Sequence, residues 1–197
     1  MANFGLSKPY IAKYDMATDK YSDCIKCGKA INTSVTPNYS SGSLYADDIE
    51  SEHVDEFTNA NVTLGVDELP AKAGEIVFGH KIDEDGTEIS NSNDSSNYIG
   101  YGFMTTLVID GIKKYQACVI LKVKFTEGEN SYETKGGNIT FKNPTLSGTA
   151  TPINNGDWRK KSKKFNTAEE AEKYIQDILG YKAGSTDGTE SAAGTNA

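Results

Sequence analysis

Apolar residues in this chain fall in short runs that alternate with polar ones or are rich in β-branched and aromatic side chains, the period-two pattern of half-buried strands. Tyr10–Tyr14, Gly28–Val35, Val62–Val66, Ile99–Ile109, Lys113–Lys124 and Asn138–Phe141 carry it, and strands are predicted there. Between the fourth and fifth stands Asp110-Gly111, a pair suited to the two left-handed positions of a tight turn, so FMTTLVIDGIKKYQACVILKVKF reads as one long β-hairpin. Alternation in its second strand puts Lys114, Gln116, Cys118 and Ile120 on one face and Tyr115, Ala117, Val119 and Leu121 on the other. The second set is expected to face the core. A further hairpin is predicted from Thr149–Ile153 through Asn154, Asn155 and Gly156 to the return strand Trp158–Phe165.

Two segments change to a helical pattern. DELPAKAGEIVFG offers Asp67 as N-cap, Pro70 in the first turn and Gly79 as a stop, with Gly74 inside. NTAEEAEKYIQDILG has Asn166 or Thr167 to cap, Glu169 and Glu170 at the positive end of the dipole, and Gly180 to end it. Its stripe Ala171, Tyr174, Ile175 and Ile178 is expected to dock on the sheet. DEDGTEISNSNDSSN reads as a polar surface loop, and the segment after the last helix, through residue 197, has too few apolar residues to offset the entropy of ordering. The fold class expected is therefore mainly β (α+β), one compact unit with one flanking helix and a C-terminal helix.

Composition narrows the function. The chain has 197 residues, and a net charge of -8 with a pI near 4.8 argues against a protein that grips nucleic acid, which needs cations to replace condensed counterions. The charge is split: residues 1–110 hold 7 Lys/Arg against 18 Asp/Glu, whereas 111–197 hold 13 against 10. Such asymmetry suits a molecule whose one face meets another face of an identical copy. There is no run of about 18 apolar residues and no apolar leader at the start, so no membrane insertion and folding in a cytoplasm are expected.

Candidate chemistry is sparse. Cys24 and Cys27 form a CxxC, but a structural metal site wants further ligands, and His53 and His80 have no matching spacing, so neither a metal nor a cofactor is expected. No nucleophile elbow, zincin motif or phosphate-binding loop occurs, and no enzyme is expected. What stands out is the acidic run YADDIESEHVDEF. Extended, it would place Glu50, Glu52, Val54 and Glu56 on one face and Ile49, Ser51, His53, Asp55 and Phe57 on the other; helical, it would stack Asp48, Glu52 and Glu56. A plain solvated surface is the third reading. Its counterpart is WRKKSKKF, where Arg159, Lys160, Lys161, Lys163 and Lys164 make a solvated face, an inter-subunit face or a short nucleic-acid patch.

In order and spacing, NFGLSKPYIAKYD, SLYADD with its acidic run, VTLGVDEL, YIGYGFMTTLVIDGIKKYQACVILKVKFTE and TKGGNITFKNPTLSGTA resemble the major tail proteins, or tail tube proteins, of long, non-contractile-tailed bacteriophages of Gram-positive hosts. The likeness covers about residues 3–150, and GDWRKKSKKFNTAEEAEKYIQDIL is similar to the strand and helix that close such proteins. The resemblance implies a β-sandwich or partly closed barrel over 1–150, a closing strand and helix over 151–181, and a disordered tail over 182–197. It further implies a structural virion protein whose hexameric rings stack into the hollow tail tube for DNA ejection, assembled in the host cytoplasm. Its partners would be its own copies, a tape measure protein, a tail terminator and distal tail proteins. On that reading Asp47, Asp48, Glu50, Glu52 and Glu56 line the lumen or a ring-to-ring contact, or meet the cations at 159–164 of a neighbour. The competing expectation is a non-enzymatic β-sandwich that binds a glycan or a cell-surface partner.

Overall fold

The computed structural model describes residues 2–47, 49–128 and 143–182. The strand predicted at Asn138–Phe141, Asp48 and nearly all of the predicted tail lie outside the described residues. The chain is mainly β, in the order β1 (Ala2–Asp15), β2 (Lys20–Lys26), β3 (Ala30–Ala46), β4 (Ile49–Val66), α1 (Ala71–Phe78), β5 (Lys81–Ile82), β6 (Glu88–Ile89), β7 (Tyr98–Ile109), β8 (Ile112–Thr126), β9 (Thr145–Ala150), β10 (Arg159–Lys161) and α2 (Ala168–Leu179).

Eight of these strands form one antiparallel sheet, ordered β2-β1-β7-β8-β9-β4-β3, with β10 also paired to β8. Its two end strands, β2 and β3, are joined through Cys27, Gly28 and Lys29 alone, so the sheet has to curl until its ends meet there. Tyr101 on β7 spans the interior to donate a 3.1 Å hydrogen bond to Thr33 Oγ1 on β3. No ladder joins β2 to β3 among the described residues, so the sheet is curled and not a closed barrel.

The concave side holds one core, with Ile11, Leu64, Ile99, Tyr101, Ile120 and Phe125 at its centre and α1 closing it. The convex side holds a second, where Ala171, Ile175 and Leu179 of α2 cover Tyr10, Met104, Ala117, Val119 and Leu121. Strand β8 lies between them. Its Ala117, Val119 and Leu121 face a core as expected, and so do Cys118 and Ile120, because a helix covers one face and the curled sheet the other. The helix sits close because β7 offers glycines: a Cβ on Gly102 would lie 2.4 Å from Ile175 Cγ2, and one on Gly100 2.6 Å from Leu179 Cδ2.

Several expectations need correction. β1, β3 and β4 run far beyond their predicted spans, and β2 was not predicted at all. The turn at Asn154–Gly156 is present, with Ile153 N–H donating to the Asp157 carbonyl at 2.8 Å, but the flanking segments do not pair with each other. β9 pairs with β4 and β8, and β10 pairs with β8, since the long β8 offers backbone groups along its whole edge. Asp67 does not cap α1, whose N-cap is Pro70 with no side-chain bond. Its carboxylate instead accepts from Lys29 N–H at 2.6 Å, pinning the joint between β2 and β3. Gly74 has its reason in Glu88, whose carboxylate lies over α1 and accepts or shares a hydrogen bond with His80 Nδ1 at 2.7 Å. The polar loop at 83–97 contributes β6, which pairs with β5 as a small ribbon. No helix among the described residues is long and apolar enough to cross a membrane.

Candidate assembly surface

The acidic run is extended, which removes the helical alternative. It is the returning half of a ribbon in which β3 and β4 pair from Ala30 to Val66, while β9 supports β4 only across Ala60–Gly65. From Tyr39 to Phe57 the two strands therefore leave the sheet as an arm about 23 Å long, at roughly 3.3 Å per residue. Its described side chains are exposed on both faces except for Phe57, which is half-buried, and Tyr39, Leu44, Tyr45 and Val54 stand in water with more than half of their surface exposed.

Register decides which carboxylates share a face. Gly42 opposes Val54 and Leu44 opposes Glu52, yet Tyr45 opposes Glu50, so Ser51 is an extra residue in a β-bulge. The bulge moves Glu50 to the side opposite Glu52 and Glu56, which corrects the predicted row of three. On Glu50's side, Ser43 Oγ donates to Glu50 Oε1 at 2.7 Å, and His53 lies 3.2 Å from Glu50 through Nδ1 and 3.2 Å from Asp55 through Nε2. Ser41 Oγ donates to Asp55 at 2.6 Å, and that bond, then His53, holds the Asp55 carboxyl below its ordinary range. On the opposite side Glu52 and Glu56 flank Val54, with Leu44 across the ribbon, and neither carboxylate forms an ion pair among the described residues. Asp47 sits exposed at the tip, with φ of 52°.

The cationic run continues along β8 beyond β10: Ser162 N–H donates to the Ala117 carbonyl at 2.9 Å, and Phe165 and Tyr115 exchange both backbone bonds. Buried Ser162 points inward, its Oγ accepting from Ala117 N–H at 2.9 Å and donating to the Lys163 carbonyl at 2.6 Å, while Lys161 and Lys163 on either side of it are exposed. Lys160 and Lys164 are exposed as well. Arg159 is different, since its guanidinium lies 4.3 Å over the Trp158 ring. Trp158 in turn stacks on Phe57 at 4.7 Å and 12°, and Phe57 meets Tyr39 edge-on at 6.0 Å.

No family model matches the chain, and no curated protein matches it.

Among the described residues, acidic arm and cationic strand come together within one chain at the aromatic stack at the arm's root. Among the described residues, no ion pair joins Asp47, Glu50, Glu52 or Glu56 to Arg159, Lys160, Lys161 or Lys163. Sequence reasoning missed Tyr39, Phe57 and Trp158 as the root, although an aromatic at each end of an exposed polar run is a readable sign of where a ribbon leaves its sheet. The CxxC is not a dithiol site. Cys24 packs beneath α2 and Cys27 into the concave core, and burial pushes each thiol up to about 12. No three of His, Cys, Asp and Glu among the described residues are grouped to hold a metal.

Proposed function

We propose that the chain is the repeating, non-enzymatic subunit of a bacteriophage tail tube: hexameric rings, stacked into a hollow tube through which DNA leaves. The observation that carries this reading is the arm. A two-stranded ribbon with both faces in water is marginal by itself, and four large apolar side chains exposed along it are a cost that burial against another chain removes.

Two further features support it. β2 and β3 end the sheet with one side of each unpaired among the described residues, and joining such edges between copies around an axis protects them from uncontrolled pairing. The acid excess suits a conduit, because lysines and arginines repeated along a wall would hold phosphates and stall passage. The other tail components of this reading are a tape measure protein, a terminator and distal proteins, and the finished location is the virion tail.

Electron microscopy of negatively stained protein at rising concentration, with light scattering in parallel, tests the reading. Rings of six or hollow tubes with a regular axial repeat are the expected result. A monomer that persists at every concentration, with tail components present as nuclei, overturns it and leaves the glycan- or partner-binding module.

A further inference from the structure

We infer that the acidic face of the arm, carried by Glu52 and Glu56, docks on the cationic strand at Arg159, Lys161 and Lys163 of a second copy. This rests on the assembly reading above and adds the two surfaces that meet.

Charge is the first argument. No Lys or Arg occurs from Ala30 to Ala71, whereas five occur from Arg159 to Lys164 with no acid among them. Among the described residues, Glu52 and Glu56 have no cationic partner within 4.0 Å, and Arg159, Lys161 and Lys163 have no anionic one. Opposite fields left unpaired in one copy are what steers two copies into a fixed register.

Spacing is the second. Glu52 and Glu56 share one face of a regular stretch of β4, and Arg159 and Lys161 share one face of β10, with Lys163 exposed just beyond its end. At about 3.3 Å per residue the two acids span roughly 13 Å and the two β10 cations roughly 7 Å, and Lys163 extends the positive row past the strand end, so the acidic face meets more than one cation at once. Val54 and Leu44, exposed by 62% and 59%, then lie against the aliphatic stem of Lys161.

Direction is the third. Within one chain Phe57 turns toward Trp158 while Glu56, next to it, points to the opposite side of the ribbon. The arm therefore presents its aromatic edge, with Asp55 and Glu50 on that same side, to its own cationic strand, and turns Glu52 and Glu56 away from it. Glu52 and Glu56 can therefore meet these cations only on another copy, which makes the contact head-to-tail and able to repeat without closing.

Charge exchange tests this, and all the altered side chains are exposed, so the fold is not at stake. Under conditions where the unaltered chain assembles, E52K/E56K and K161E/K163E should each raise the concentration needed for assembly by about tenfold or more. An equimolar mixture of the two variants, and a chain carrying all four changes, should restore it. Added salt should weaken assembly of the unaltered chain. Assembly unaffected by either variant, or not restored by the exchange, overturns this contact while the tube reading stands. Failure of the unaltered chain to assemble at all overturns both.

Discussion

Cys24, Cys27 and Cys118 sit in the two cores as thiols, and desolvation is the first cause of each raised pKa, about 12 for the first two and about 11 for the third. In an unfolded chain they ionise near pH 8.5. Below that pH the folded and unfolded states hold the same protons; above it the unfolded state sheds them first, so stability falls as pH rises toward the folded values. The slope is up to about 1.4 kcal/mol per pH unit for each thiol. A urea midpoint lower at pH 10 than at pH 8 is expected, with the native protein inert to thiol reagents at pH 8. An unchanged midpoint would contradict the burial described. At this scale the alternation of side chains was legible wherever a strand is regular, as in β8, where Ala117, Val119 and Leu121 do face a core. It failed at Ser51, because one inserted residue reverses every assignment beyond it and nothing in SEHVDEF marks the insertion.

Among the elements, the β7–β8 hairpin and α2 were readable because their signals are local. Asp110 and Gly111 both adopt positive φ, 50° and 78°, as a type I′ turn requires. Thr167 and Glu170 close the N-terminus of α2 with a reciprocal capping box. The pairing of β9 and β10 was not readable, since it depends on which long edge is free when the chain returns, a property of the sheet and not of the segment. The same holds for Gly102, an unremarkable residue in its strand until Ile175 is laid over it. Gly102→Ala is expected to lift α2 from β7 and lower stability by about 1–3 kcal/mol, the usual cost of overpacking. Thermal unfolding checks this, and an unaltered midpoint would mean that α2 is not seated as described.

For the whole molecule, the β-rich class followed from the alternation, whereas the curl of the sheet did not. It arises because three residues connect its two end strands, and Asp67, distant in sequence, pins that joint. The split of charge between the two halves of the chain was visible at once, but its placement on an arm and at the arm's root was not. That root also holds the protein's one tryptophan. Trp158 lies between the Phe57 ring and the Arg159 guanidinium, where its emission depends on both neighbours. The protein therefore carries an optical gauge of its own arm. Phe57→Ala should shift the emission to longer wavelength while the circular dichroism of the sheet stays the same, and unchanged emission would place the indole outside the stack. A protein built this way can be followed as its arm changes surroundings, with no label attached.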